Sequence, residues 1–177
     1  MYIISKNAEE QAVMNAACEL CAAIRTAPKA CGIDHLNTAI ITGEDKDALT
    51  AEMRKLGSNV GDDFFIRDAE NVDDCTAVVL VGAKHEPRGL GARCRLCGFE
   101  DCDTCKDNNA VCVFTPLDLG IALGSAVAMA ADKRMDNRIM FTIGKAAAAM
   151  RLLGEYSLIM GIPLSVSGKS PFFDRDD

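Results

Sequence analysis

Apolar side chains recur every three to four positions in residues 7–25 and again in three later segments. Those later segments span residues 45–56, 116–131 and 145–160, and the last contains Gly154, which marks a break in the pattern. A period of this length is typical of a helix with one face turned to a core. The chain is therefore predicted to contain four principal helices.

Short runs of β-branched and other apolar residues separate these helices. They span residues 38–42, 76–82, 139–143 and 162–166. The run at 76–82 is apolar on both faces, which is typical of a central strand. Pro163 has no amide proton, so we predict that the last strand lies at an edge of the sheet. Strands that alternate with helices predict one α/β (or α+β) domain over residues 1–177, a mixed sheet flanked by helices.

Residues 84–109 show neither period and are rich in Gly, Cys and charged side chains. Four cysteines lie within twelve positions, and a fifth follows before the next predicted helix. They are Cys94, Cys97, Cys102, Cys105 and Cys112. Thiolates this close together in one loop can surround a metal centre. We therefore predict a cluster-binding loop at about residues 84–115, between the second strand and the third long helix.

The composition and charge of the chain restrict the classes of binding partner and the cellular compartment that we expect. The chain of 177 residues has a formal net charge of −7, and its sequence pI is near 4.9. Nucleic acids and anionic membranes both require clustered Lys and Arg, so we expect neither as a partner. We also expect no signal peptide or membrane span, and hence a cytoplasmic protein. Nine cysteines in a reducing compartment are better explained as thiols and metal ligands than as disulfides.

The spacing of the loop cysteines favours iron–sulfur over zinc. Structural zinc usually takes two cysteine pairs separated by a dozen or more residues, whereas only four residues lie between these pairs. A compact loop with three cysteines and a fourth farther along is common for [4Fe–4S] clusters, and Cys94, Cys97 and Cys102 fit it. Spacing leaves Cys105 and Cys112 open as the fourth ligand. Zinc and metal-free redox thiols are the alternatives.

Several segments outside and inside this loop resemble a prokaryotic family of uncharacterised proteins that contain a ferredoxin domain. Those segments are residues 25–30, 97–99, 118–126, 136–140, 162–164 and 168–175. The resemblance extends over nearly the whole chain. It implies a [4Fe–4S] motif whose last cysteine precedes the Asp-Leu-Gly-Ile-Ala helix, which is the position of Cys112. Cys105 is then an extra thiol.

A second resemblance is to the nitroreductase-like flavoproteins, whose chains also begin with an Arg-bearing helix and a Pro-containing turn. It implies a nitroreductase-like fold and FMN as a cofactor. Arg25 and Lys29, with Lys145 or Asn37, would then supply donors for the FMN phosphate. The alternative is that basic residues at the end of the first helix only complement the helix dipole.

These observations predict an iron–sulfur protein that binds one [4Fe–4S] cluster and acts in electron transfer or as a small oxidoreductase. A redox partner protein or a small molecule would exchange the electrons. The alternative is a structural zinc protein without catalytic activity. Gly120 and Gly124 give the predicted helix 116–131 a small-residue surface on which two copies would pack, so we also expect a homodimer.

Overall fold

The computed structural model describes residues 2–173, except for the side chain of Val60. Asp174 and Arg175, which belong to the last segment of the family resemblance, lie outside these residues. The helices are α1 Ser5–Thr26, α2 Gly43–Val60, α3 Asp63–Asp73, α4 Cys102–Asp107, α5 Phe114–Asp132 and α6 Phe141–Ala149. The strands are β1 Leu36–Ile41, β2 Ala77–Ala83, β3 Asp136–Asn137 and β4 Leu158–Ser165.

One four-stranded sheet with the order β1-β2-β4-β3 forms the centre of the described fold. All three strand pairs are antiparallel, with Leu36 opposite Ala83 and Ala77 opposite Leu164. The predicted combination of a sheet with flanking helices is confirmed. The sheet is antiparallel, however, and not a mixture of parallel and antiparallel pairs.

Helices cover both faces of this sheet. Val79 and Val81 of β2 pack with α1 and α5 on one face, whereas Val78 and Leu80 pack with α2, α3 and α6 on the other. Every residue of β2 is buried, because successive side chains of a strand point to opposite faces and both faces are covered. The prediction of a central strand here is confirmed, and the chain leaves this strand directly into the cysteine-rich segment.

The prediction of an edge strand at 162–166 is wrong. β4 lies between β2 and β3, and Pro163 stands opposite Val78. On the β3 side, Met140 and Gly161 exchange two backbone hydrogen bonds. In β4 the amides of residues 161 and 163 point to the same side, toward β3, because alternate amides of a strand face the same neighbouring strand. The missing N–H of Pro163 therefore lies between the Met140–Gly161 bridge and the Asn137–Leu164 pair, where β4 makes no regular pairing with β3. An interior strand therefore accommodates the proline where its second ladder is already interrupted.

The predicted strand at 139–143 is also wrong, because α6 begins at Phe141 and only Met140 bridges to β4. Two glycines let this helix lie directly against β4. A Cβ atom on Gly144 would be 1.7 Å from the Ile159 carbonyl oxygen, and one on Gly161 would be 2.1 Å from the Ile143 side chain. The β-branched and apolar run at 139–143 therefore forms the approach to this helix and its first turn, in which Ile143 is buried while Ile139 and Phe141 are exposed.

Other predicted boundaries differ for related reasons. The predicted helix 145–160 ends at Ala149, and the residues from Leu158 belong to β4. Gly57 does not end α2, which continues to Val60 and ends at Gly61 with a left-handed φ of 65°. A Cβ on Gly57 would lie 2.8 Å from the Phe65 Cβ, so this glycine permits the close approach of α3.

Helix α5 is long and apolar enough to cross a membrane by length and composition alone, contrary to the expectation that no segment reaches that length. Its inner face packs on α1 and the sheet through Leu119, Ala122, Leu123 and Ala126. A core helix with one apolar face and small residues elsewhere passes the same test of length and hydropathy.

Replacement of Gly144 by Ala should destabilise the fold by about 3 kcal/mol or more, because the added methyl group meets backbone atoms of β4 that can move only with the strand. Gly124→Ala in α5, measured at a protein concentration at which the chain is monomeric, is the matched control. Among the described residues, no atom beyond the neighbouring backbone of α5 lies within 4 Å of its added Cβ, so the better helix propensity of Ala should stabilise by up to about 1 kcal/mol. Urea unfolding measures both, and equal midpoints would contradict the close packing.

Candidate metal centre

The segment between β2 and α5 is built from turns and one short helix. A 3-10 turn at Gly91–Arg93 precedes the first loop cysteine. The Asp101 carboxylate accepts a hydrogen bond from the Thr104 amide at 2.8 Å and so caps α4. This bond lowers the pKa of Asp101. The segment predicted to be irregular therefore contains a helix, which at six residues is too short to show a period in the sequence.

Five cysteines line one pocket in this segment. Cys94 follows the 3-10 turn, and Cys97 lies in the turn that Gly98 closes with a φ of 85°. Cys102 and Cys105 are one helical turn apart in α4, and Cys112 lies two residues before the start of α5. The cavity between these side chains has a volume of about 10 Å³. All four predicted ligands and the alternative fifth thiol thus reach the same cavity.

Cys105 lies deepest among these thiols, with 1% of its surface exposed, and Cys112 is nearly as buried. Burial, a hydrogen bond with Cys97 and the neighbouring charges of Cys97, Cys112 and Cys102 raise the pKa of Cys105 to about 11. Its Sγ atom is 3.6 Å from the Ala110 carbonyl oxygen. Cys97, Cys102 and Cys112 are therefore near neighbours of Cys105.

The donor set fits an iron–sulfur cluster on chemical grounds. The ligating atoms of the pocket are thiols, which favour soft metals, and the Gly91 amide donates to the Cys102 Sγ atom at 3.3 Å. Amide hydrogen bonds to cysteine sulfur stabilise negative charge on it. Within residues 2–173, no three His, Cys, Asp or Glu side chains are grouped closely enough to hold a single ion. A cluster sets its thiolates farther apart than one ion does.

A buried ion pair forms part of the pocket wall. Arg88 lines the pocket with 1% of its side chain exposed, and its Nε and Nη2 atoms donate to one oxygen of Asp118 at 3.2 and 2.9 Å. The other oxygen of Asp118 accepts from the Ala30 amide at 3.0 Å. The pair therefore joins the cysteine segment to α5 and to the turn after α1.

His35 completes this group of polar side chains. Its Nδ1 atom is 2.8 Å from Arg88 Nη1, and its Nε2 atom is 3.4 Å from the Glu86 carboxylate. Arginine has only donors, so Nδ1 must accept and the ring proton must be on Nε2. His35 therefore belongs to the polar group behind the pocket, whereas His85, the other histidine of the chain, is exposed.

Sequence reasoning missed the Arg88–Asp118 pair although one signal was present. Asp118 is the only charged residue between Phe114 and Ala131 in a helix that is otherwise apolar. A carboxylate in such a helix has to be buried and paired, or else exposed on a narrow polar face. The identity of the partner depends on the fold and has no signature along the chain.

The basic residues predicted for an FMN phosphate do not converge within one chain. Arg25 pairs with Asp34, and the Lys29 ammonium donates to the Ile24 and Arg25 carbonyl oxygens at the end of α1. Lys145 is exposed on α6, on the opposite face of the sheet from α1. The contacts of Lys29 match the helix-dipole alternative.

Asn37, the fourth predicted phosphate donor, lies in β1. Its side-chain oxygen accepts from the Thr38 amide at 3.0 Å. The predicted donors therefore have local partners or stand apart, and they do not form a phosphate site in a single chain.

Comparison with solved structures identifies the fold as that of nitroreductase-like flavoproteins. A protein from Desulfovibrio desulfuricans, described as a nitroreductase and solved with FMN, superposes with a TM-score of 0.58 at 13% identity, over 92% of this chain and 79% of that one. The nitroreductase CinD from Lactococcus lactis, solved with nicotinic acid, gives 0.56 at 17% identity over 94% and 85%. At these identities the comparison shows the fold alone.

Sequence comparison identifies the family. An uncharacterized protein from Archaeoglobus fulgidus is 40% identical over 99% of this chain and 98% of its own length. A family model described as an uncharacterized protein containing a ferredoxin domain matches residues 108–175, which include Cys112 but not the other four loop cysteines. The chain belongs to this family of uncharacterized proteins containing a ferredoxin domain, as the sequence motifs predicted.

In metal-free protein, Cys105 should resist alkylation by iodoacetamide up to a pH near 11, because its raised pKa keeps the thiol protonated below that value and only the thiolate reacts. Exposed Cys18 on α1 should react well before it and is the internal control. Peptide mass spectrometry after pulses between pH 7 and 11 gives both rates. Equal rates at pH 8 would contradict the buried position of Cys105.

Proposed function

We propose that this protein binds one [4Fe–4S] cluster in the pocket between β2 and α5 and acts in electron transfer or as a small oxidoreductase. The observation that carries the proposal is the convergence of five cysteine thiols on one cavity that is partly open to solvent. The family description and the redox flavoproteins of the same fold support it. The open side of the cavity gives a donor or acceptor access at short range.

The proposed ligands are Cys94, Cys97, Cys102 and Cys112. Cys112 adjoins α5, and its carbonyl oxygen accepts from the Thr115 amide at 2.9 Å, so the core fixes its position. Cys105 has a raised pKa, which makes the metal-free thiol a poorer ligand, since a ligand must lose its proton. In this assignment Cys105 is the protonated neighbour of the cluster, and it is the alternative fourth ligand.

The residues of this chain would perform three tasks around the cluster, which itself supplies one-electron chemistry when bound. The thiolates hold it, and the Gly91 amide stabilises charge on the Cys102 sulfur. Apolar groups of Leu90, Phe99 and Phe114 line the same pocket and limit its contact with water. Exclusion of water strengthens the electrostatic interactions that determine the reduction potential.

Zinc is the competing metal, with a purely structural role for the loop. Four thiolates around one zinc ion would stand roughly 3.8 Å apart, given Zn–S distances near 2.3 Å in a tetrahedron. The grouping of ligands in residues 2–173 does not meet the requirement for a single ion. The iron, sulfide and zinc contents of the purified protein distinguish a zinc ion from a [4Fe–4S] cluster.

FMN is proposed as a second cofactor only on the strength of the fold, because related structures contain it. Of the basic residues predicted for its phosphate, Lys29 and Arg25 have local partners in one chain. Heat denaturation of freshly purified protein tests the proposal. Yellow, fluorescent supernatant would support a bound flavin, and a colourless one would exclude tight binding.

We further propose a cytoplasmic protein that exchanges electrons with a partner protein or a small molecule and associates as a homodimer. The outward face of α5 supports the dimer, because Leu117 and Ile121 are exposed there and, within residues 2–173, a Cβ on Gly120 or Gly124 would meet no atom beyond the neighbouring backbone of α5. The net charge of −7 argues against nucleic acid or an anionic membrane as the partner.

Anaerobically purified protein should be brown and hold about four irons per chain. Cys112→Ala should lower the iron content more than Cys105→Ala does, because the first removes a ligand and the second a neighbouring thiol. Cys31→Ala, at an exposed position outside the loop, is the matched control and should retain full iron.

Iron and acid-labile sulfide analysis of the four proteins measures these differences. A larger loss of iron in Cys105→Ala than in Cys112→Ala would mean that Cys105, and not Cys112, is the fourth ligand. A colourless wild-type protein with one zinc per chain would contradict the iron–sulfur proposal.

A further inference from the structure

Arg88 is a buried cation in the wall of the thiol pocket. Only 1% of its side chain is exposed, and its partner Asp118 is 2% exposed. Arg95 and Asp101 also line the pocket, but Arg95 is exposed and Asp101 is partly exposed, so water and salt screen them more strongly. The Arg88–Asp118 pair is thus the charged group with the least screening at this site.

Hydrogen bonds fix the orientation of this guanidinium. Two of its N–H groups point to Asp118, and Nη1 bonds to His35 Nδ1 and to the Glu86 carbonyl oxygen at 2.8 and 2.6 Å. These bonds use four of the five N–H groups that arginine carries. Among the described residues, the fifth, on Nη2, has no acceptor.

Arg88, the positively charged member of the ion pair, is the member nearer to the pocket. Arg88 lines the cavity, whereas Asp118 lies behind it and accepts from the Ala30 amide on its other side. A cluster held by four thiolates is anionic and becomes more so when it gains an electron. A fixed positive end nearby stabilises the reduced form, and a negative charge behind it weakens that effect.

We propose that Arg88 and Asp118 are positioning residues that set the reduction potential of the bound cluster, Arg88 by raising it and Asp118 by limiting the rise. The inference rests on the proposed function. The step concerned is the gain of one electron by the oxidised cluster from a one-electron reductant, with no bond formed or broken.

Two variants separate this role from a merely structural one. Asp118→Asn removes the negative charge, while arginine cannot lose its proton, so a buried cation is left uncompensated. The double variant R88Q/D118N replaces the pair by two neutral amides that still hydrogen-bond each other, and the amide introduced at position 118 retains an acceptor oxygen for the Ala30 amide. Asp118→Asn thus makes the charge of the site more positive than in the wild type, whereas R88Q/D118N removes the cation next to the pocket.

The experiment is an anaerobic redox titration of cluster-loaded protein with dithionite, followed by the EPR signal of the reduced cluster. D118N should raise the equilibrium constant for one-electron reduction at least about tenfold, which corresponds to 59 mV. R88Q/D118N should lower it about threefold relative to wild type. Asp73→Asn, in the solvated Arg54–Asp73 pair on the opposite side of the sheet, is the matched control and should leave it unchanged.

Potentials in the order D118N, wild type, double variant, from highest to lowest, support the inference. Shifts in the same direction for both variants, or no shift with full cluster content, overturn it and leave the proposed function intact. If D118N does not fold, the reduction potentials of the wild type and of R88Q/D118N are compared by themselves, and equal potentials overturn the inference. Wild-type protein without a cluster overturns the proposed function and this inference together.

Discussion

The buried Arg88–Asp118 ion pair is the interaction on which the arrangement of the site depends. It is the point where the cysteine segment, the start of α5 and the turn after α1 meet. Removal of one partner would leave a buried charge unpaired, which is typically far more costly than the loss of the whole pair. The pair therefore specifies how the segment returns from β2 to the core, and it fixes the thiols that the segment carries.

The cysteine segment follows directly from β2, a strand held in place on both faces. All of β2 is buried between two helical layers, and its last residue, Ala83, pairs with Leu36. The first and last loop cysteines thus lie between two fixed elements, β2 and α5, while α4 supplies two thiols from a capped helical turn. A pocket with several ligands on ordered backbone is suited to a redox centre, because little reorganisation accompanies electron gain.

The sequence was sufficient for the features that have a local signature. The buried strand β2, the long helices α1 and α5, and the clustering of cysteines follow from hydrophobic period and ligand spacing. Residues 139–143 were mispredicted because the run has the composition of a strand, whereas the close approach of α6 to β4 depends on Gly144 and on Gly161, which is distant in sequence. The place of Pro163 inside the sheet depends on an interrupted ladder, which is a property of the neighbouring strand. The partners of Asp118 are Arg88 and Ala30, which precede it by 30 and 88 residues in the sequence.

The central claim is that the five-thiol pocket holds a four-iron cluster. Native mass spectrometry of the anaerobically reconstituted protein tests it most directly, because the intact mass reports the metal and the sulfide together. The account predicts one dominant species per chain with the added mass of a single [4Fe–4S] cluster. A dominant species that carries one zinc ion, or only metal-free chain after reconstitution, would contradict it.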